Sequence, residues 1–216
     1  MKKSPKKKPV KKKKRKGGVW TVLGLLFLLA AGGLTAYNYY ESYTSGLASE
    51  EVLAKMQEKI TETHDADPDD DLLEDREMPT IEIDGYRYIG YLNVQDLKMT
   101  LPVMEEWDYK RLKIAPCRYA GSYYQDNLVI AGHNYRRHFS PLRGLENGTK
   151  VNFIDVEGNT YHYEIAGVEI LKPDQVDKLV RESEKWDLTL FTCTIGGQTR
   201  HTIRCVRIDD DTTKDF

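Results

Sequence analysis

The chain has 216 residues, with 32 Lys or Arg against 34 Asp or Glu and a formal net charge of −2. That near-balance hides a segregation: residues 1–16 carry 11 basic residues and no acid, leaving 21 basic against 34 acidic residues in the remainder. A basic arm of this kind suits nucleic acid, but the uncharged stretch behind it and the acidic remainder argue against that partner and for anionic lipid headgroups.

Gly17 to Tyr40 contains no charged residue. About 20 helical residues cross a ~30 Å hydrocarbon core, so this stretch is predicted to be a single transmembrane helix. Trp20 on one side and Tyr37, Tyr39 and Tyr40 on the other match interfacial aromatic belts, and the upstream Lys/Arg excess keeps the N-terminus cytoplasmic. A cleaved signal peptide is the alternative. Its apolar region is normally only about 7–15 residues, although Ala30-Ala31-Gly32-Gly33 leaves that reading open. The expected order is therefore a cytoplasmic basic tail at 1–16, a transmembrane helix at 17–40 and the bulk of the chain outside the cell.

Residues 41–80 read as an extracellular stalk. Ser49-Glu50-Glu51 opens a helical pattern with Val52, Leu53, Met56 and Ile60 following, and Ser49 is a candidate cap. Asp65 to Asp71 is acidic around Pro68, which reads as a solvated linker. It lacks the full ligand spacing of a calcium loop, and no metal or cofactor is expected.

From Ile81 to residue 216 the texture is β. Tyr86 to Val94 is rich in Tyr and Ile; Val151–Ile154 and Tyr161–Ile165 flank a turn at Glu157-Gly158-Asn159; Lys172–Lys185 suggests one short helix. Many short strands over about 135 residues predict one β-barrel or sandwich with a single core.

Three cysteines is an odd number for an extracellular chain, so at least one thiol lacks an intrachain partner. Thr189-Leu190-Phe191-Thr192-Cys193 reads as a buried strand ending on a thiol. Alternation puts Leu188, Leu190 and Thr192 inward and Thr189, Phe191 and Cys193 outward. On the next strand Ile203 and Cys205 face the core, while Arg200, Thr202 and Arg204 face out. An antiparallel hairpin then sets Arg200 opposite Cys193 at its mouth, and Arg204 lies ~13 Å further along. Cys205 is expected to be a small core hydrophobe. Cys117 is expected in a loop, with a Cys117–Cys205 contact or disulfide left open. Leu128-Val129-Ile130 delivers Ala131-Gly132-His133, which presents an imidazole at a sheet edge. His64, His138, His162 and His201 read as surface or packing residues, and no Asp or Glu stands in an obvious orienting role; Asn134 is adjacent. A thiol, an imidazole and a guanidinium at strand edges make an acyl-transfer site: Cys193 attacks a carbonyl, His133 manages protons and Arg200 holds the developing charge or the substrate.

Thr189-Leu190-Phe191-Thr192-Cys193 resembles the T-L-x-T-C signature of sortases, and His133 upstream with Arg200 downstream resembles the family's His…Cys…Arg order. The resemblance covers about residues 81–216, and the N-terminal anchor matches too. It implies a mainly β fold, an eight-stranded sortase-type barrel with short helices, behind the single membrane helix. It further implies a cell-membrane cysteine transpeptidase of mainly Gram-positive bacteria. Such an enzyme cuts an LPxTG-like sorting signal on secreted proteins and passes the acyl group to an amine of a cell-wall precursor or a pilin. Phe191, Thr192 and Asn134 are the candidate substrate-binding residues. Asp67-Pro68-Asp69 departs from the Asp-Pro-aromatic lid of pilin-polymerising members, and Ala131-Gly132-His133-Asn134-Tyr135 resembles class B, so a class B-like or unclassified sortase is expected. Papain-like peptidases place cysteine before histidine, and L,D-transpeptidases carry histidine and glycine directly before the cysteine; neither order occurs here. A non-catalytic membrane-anchored scaffold is the remaining alternative, opposed by the presence of all three residues.

Overall fold

Helix α1 spans Gly17–Thr63 without a break. The computed structural model describes residues 17–63, 77–182 and 185–208, and the chain divides into two units, Met1–Tyr40 and Glu41–Phe216. The basic tail, His64 and the acidic linker around Pro68 lie outside the described residues. In the first unit, described side chains of α1 are exposed throughout, Trp20 and Leu28 among them. The helix is long and apolar enough to cross a membrane by length and composition.

The second unit is built on strands β1 (Ile81–Ile83), β2 (Tyr86–Val94), β3 (Met99–Met104), β4 (Cys117–Ala120), β5 (Leu128–Gly132), β6 (Lys150–Asp155), β7 (Thr160–Leu171), β8 (Leu188–Cys193) and β9 (Arg200–Arg207). Eight of them close a ring in the order β2-β3-β4-β5-β8-β9-β7-β6, with β6 returning to pair with β2. β1 is an extra strand hydrogen-bonded to the start of β2. The expected eight-stranded barrel is therefore present. Closure leaves the ring no free edge.

Alternation explains the interior. β6 and the first half of β7 bury every second residue, so Val151, Phe153, Tyr161 and Tyr163 fill the barrel with Leu188, Leu190, Ile203 and Cys205. The expected β6–β7 hairpin is present. Its turn is held by the buried Asp155 carboxylate, which accepts the amides of Glu157 and Asn159 at 2.9 Å each.

The second half of α1 belongs to the barrel unit. Val52, Met56 and Ile60, one face at helical spacing, are buried against Ile83, Tyr88, Met104 and Cys117. Burying three such side chains contributes on the order of 5 kcal/mol. Residues 41–63, read from sequence as part of a stalk, are thus a packed wall of the unit. Ser49 does not cap a helix, because α1 is continuous through it. Its hydroxyl donates to the Ile114 carbonyl at 2.6 Å, and Ser45 donates to the Lys113 carbonyl. With both hydroxyl protons committed, their oxygens accept from Nε2 of the fully buried His138, 3.1 Å away in each case. Burial, first, and the nearby His133 charge push the His138 pKa down to about 4, against the pull of its Ser45 bond.

Two further expectations change. Cys117 opens β4 and is buried there instead of lying in a loop, and neither Cys117 nor Cys205 is disulfide-bonded. Lys172–Lys185 holds a 3-10 turn (Pro173–Gln175) and the one-turn helix α2 (Lys178–Arg181). This connection folds over the outside of the barrel, where Val176 and Leu179 pack on Val129, Ala131, Leu171 and Phe191.

Candidate active site

The parallel pairing of β5 with β8 aligns Ala131 with Phe191 and Gly132 with Thr192. His133 and Cys193, the next residue on each, therefore leave the sheet side by side. The antiparallel β8–β9 pairing sets Cys193 opposite Arg200 and Thr189 opposite Arg204, the register expected from sequence. Neighbouring strands lie about 4.8 Å apart, so thiol, imidazole and guanidinium emerge from three adjacent strand ends at one rim of the barrel.

All three share the outer face, because Val129, Ala131 and His133 alternate on β5 as Thr189, Phe191 and Cys193 do on β8. Below them the same face carries the apolar patch of Ala131, Phe191, Leu171 and Leu179. Phe191 is outward, as expected, yet only 8% exposed, because the β7–β8 connection covers it and Tyr119 meets its ring edge-on at 5.2 Å. Thr192 lies on the opposite, inward face of β8 and is buried, with no hydrogen bond at Oγ1 among the described residues. The structure therefore does not bring it to Cys193. Asn134 is brought there: its Nδ2 donates to the Thr194 carbonyl at 3.5 Å, tying the histidine loop to the cysteine loop.

Gly132 is required by what packs on it. A methyl at that position would overlap the Phe139 ring, and Phe139 donates its amide to the His133 carbonyl at 3.1 Å. The loop after β5 thus folds back on itself and holds His133 at the strand end. The His133 ring stacks on Tyr135 with centroids 3.7 Å apart. Its Nδ1 is buried with no hydrogen-bond partner among the described residues. Burial holds the His133 pKa below the usual imidazole value; Asn134 and the Glu41 carboxylate pull it back up, and the Lys113 ammonium adds to the lowering.

The three thiols differ in setting. Cys193 is half-buried, whereas Cys117 and Cys205 are fully buried. Burial, reinforced by the Asp108 charge, pushes the Cys117 thiol up to about 12, and burial also raises Cys205. Such thiols are inert at neutral pH.

The two arginines differ as much. Arg200 is half-exposed and donates through Nη1 to the carbonyls of Gly197 and Thr199 at 3.0 and 3.2 Å, at the mouth of the β8–β9 loop. Arg204 is 2% exposed; its Nε meets Glu169 at 2.8 Å and its Nη1 meets Thr189 Oγ1 at 3.0 Å. It is a buried strut beneath the β7–β8 connection, with Glu182 3.9 Å away.

Sequence reasoning missed Glu41, which accepts from Lys113 Nζ at 2.6 Å across 72 positions. Its signal was its place as the first charge after the apolar run. Among the described residues no three His, Cys, Asp or Glu side chains gather as metal ligands would.

Residues 92–208, more than half of the chain, match the Sortase domain family. No curated protein matches the chain. Among solved structures, the sortase D5 transpeptidase of Clostridium perfringens aligns at 18% identity with a TM-score of 0.56, over 72% of this chain and 98% of its own. Sortase C of Streptococcus pneumoniae aligns at 17% identity and 0.54, over 74% and 97%. Sortase A of Corynebacterium diphtheriae aligns at 17% and 0.51, over 83% and 96%. At such identities the likeness to these class D, C and A enzymes is one of fold. Together with the family match across β2 to β9, it establishes that the chain belongs to the sortases, the cysteine transpeptidases.

Proposed function

We propose that the chain is a membrane-anchored sortase in which Cys193, His133 and Arg200 carry the reaction. The observation that supports this most is the convergence of β5, β8 and β9 on one rim, which sets the three side chains side by side above an apolar floor. The Cys193 thiolate attacks the carbonyl carbon of a sorting signal of LPxTG type. Arg200 holds the oxyanion or the substrate chain, which requires it to swing from the loop carbonyls it now bonds. The His133 imidazolium gives its proton to the leaving amine as the C–N bond breaks, leaving a thioester and a neutral imidazole. An incoming amine then attacks the thioester and returns a proton to His133. The C–S bond breaks and the thiolate is restored.

Ala131, Phe191, Leu171 and Leu179 are buried against one another and brace the rim from beneath, while Asn134, bonded to the Thr194 carbonyl beside the thiol, would meet the signal. The substrates would be secreted proteins bearing that signal near their C-terminus. The acceptor would be an amine of a cell-wall precursor or of a pilin; the pneumococcal sortase C above is described in terms of pilin substrate specificity. Residues 17–40 would span the membrane with the basic tail inside against anionic lipid and the barrel outside. Trypsin added to intact cells would then digest the barrel and spare the tail; a protected barrel would reverse the orientation.

The direct test incubates the full chain in detergent with a library of sorting-signal peptides and candidate amines, with products identified by mass spectrometry. A peptide–amine conjugate and a thioester on Cys193 are expected. Turnover without any adduct on Cys193 would overturn the assignment.

A further inference from the structure

The loop after β5 holds three aromatic rings in a row. The His133 imidazole stacks on Tyr135, with centroids 3.7 Å and planes 14° apart, and Tyr135 in turn meets His138 at 5.6 Å. The loop backbone fixes their order. The His138 and Ser140 amides both donate to the Tyr135 carbonyl at 3.1 Å, and the Phe139 amide donates to that of His133. Tyr135 is buried and His138 fully so, whereas His133 at the rim is half-buried. The row therefore runs from a ring that meets solvent to one locked inside the unit.

The lock is on α1. Ser45 and Ser49, one turn apart on a single helix face, donate to the carbonyls of Lys113 and Ile114. Their oxygens are left to accept the Nε2–H of His138, 3.1 Å away in each case. Around these bonds the same stretch of helix is fitted to the loop: Ser42 Oγ accepts the Arg136 amide at 3.2 Å, and a methyl on Gly46 would overlap the Arg137 side chain. His133 Nδ1, by contrast, is buried with no hydrogen-bond partner among the described residues. Stacking on Tyr135 thus stands where a hydrogen bond at the second ring nitrogen usually orients a catalytic histidine.

We infer that His138 is a positioning residue for His133, carrying the hold of Ser45 and Ser49 through the Tyr135 ring to the plane of the imidazole. This inference rests on the proposed role of His133. It makes residues 42–49 of α1 a working part of the site as well as a wall of the barrel unit. The physical route is packing. Interiors are close-packed, so loss of the His138 ring opens a void beside Tyr135, and the imidazole stacked on Tyr135 turns with it. Misplacing a reacting group by about 1 Å costs on the order of a hundredfold, and a partial turn of the proton donor should cost about tenfold.

The test uses the full chain in detergent micelles with 13C-labelled histidine, and a His133→Asn variant identifies the His133 signals among the five histidines. A ring stacked on tyrosine carries signals displaced upfield by the ring current, which reports the stack directly. In His138→Ala, and in the double variant Ser45→Ala/Ser49→Ala, the His133 signals should move downfield. In both, kcat should fall about tenfold while KM for the sorting-signal peptide stays within about twofold. His138→Gln, whose amide donates at about the reach of Nε2, should return kcat to within about threefold of the wild type. Cys205→Ala is the control for lost stability alone and should move neither the signals nor kcat. The double serine variant keeps the His138 ring, so it decides the matter if His138→Ala does not fold. Unmoved His133 signals or an unchanged kcat in that variant overturn the inference. Turnover that survives His133→Asn would instead show that the proposed role of His133 has failed.

Discussion

The two ends of the β8–β9 hairpin use the same residue types for opposite ends. At its mouth stand Cys193 and Arg200, both half-buried, beside a loop closed by a Thr194–Thr199 hydroxyl pair 2.7 Å apart. At its base stand Cys205 and Arg204, both buried, one in the barrel core and the other in an ion pair under the β7–β8 connection. Chemistry is thus assigned by position along a ladder. A cysteine or arginine at the rim can meet a substrate, and the same residue about 13 Å down the strand can only pack or pair.

The sharpest way to break this comparison is to exchange the thiols for alanine. Cys193→Ala should lower acyl transfer by about a thousandfold or more, read by mass spectrometry of peptide–amine products. Cys205→Ala should leave turnover within about twofold while costing roughly 1–2 kcal/mol in urea denaturation. Comparable losses of turnover in the two variants would remove the distinction between rim and base.

The arginines should separate along the other axis. Arg200→Ala should cut kcat/KM about a hundredfold and leave the unfolding midpoint close to that of the parent. Arg204→Ala leaves Glu169 and Glu182 without their cation; because both carboxylates are partly solvated, a loss of roughly 2–3 kcal/mol is expected. The reverse ranking in paired activity and denaturation measurements would mean that the register is not what governs function.

A smaller effect concerns the helix clamp behind the rim. His138 is buried neutral, with its pKa lowered from 6.5 to about 4. The unfolded chain takes up its proton first, so stability is complete above about pH 6.5 and falls between there and pH 4, by roughly 3 kcal/mol in all. Denaturation midpoints across that window should therefore slope less steeply in His138→Gln than in the parent, although the variant starts lower at pH 8.

Much of this hairpin was legible in the sequence because β alternation is local. The parity of residues 188–193 and 200–205 follows from a period of two, and the six residues between Cys193 and Arg200 pin the register. What alternation does not carry is which outward face becomes covered. Phe191 and Arg204 point outward and are buried all the same, because Val176, Leu179 and Glu182 arrive from a connection whose path no short-range pattern dictates. The misreading of Ser49 has the same origin. Ser-Glu-Glu before an apolar run fits a cap locally, but the helix was already under way and the hydroxyl serves a carbonyl 65 positions on. The partners of Glu41 and of His138, the latter read only as a surface or packing residue, were not legible because they lie about 70 to 95 residues away.

The parallel ladder between β5 and β8 has a consequence for when the molecule becomes reactive. It joins residues sixty positions apart, such as Ala131 and Phe191, and Arg200 arrives on the last strand of the ring. Contacts of that separation form late in folding, after the loop-closure entropy has been overcome. The rim is therefore assembled in two separable contacts: β5 pairing with β8 brings His133 beside Cys193, and only the pairing of β9 adds Arg200.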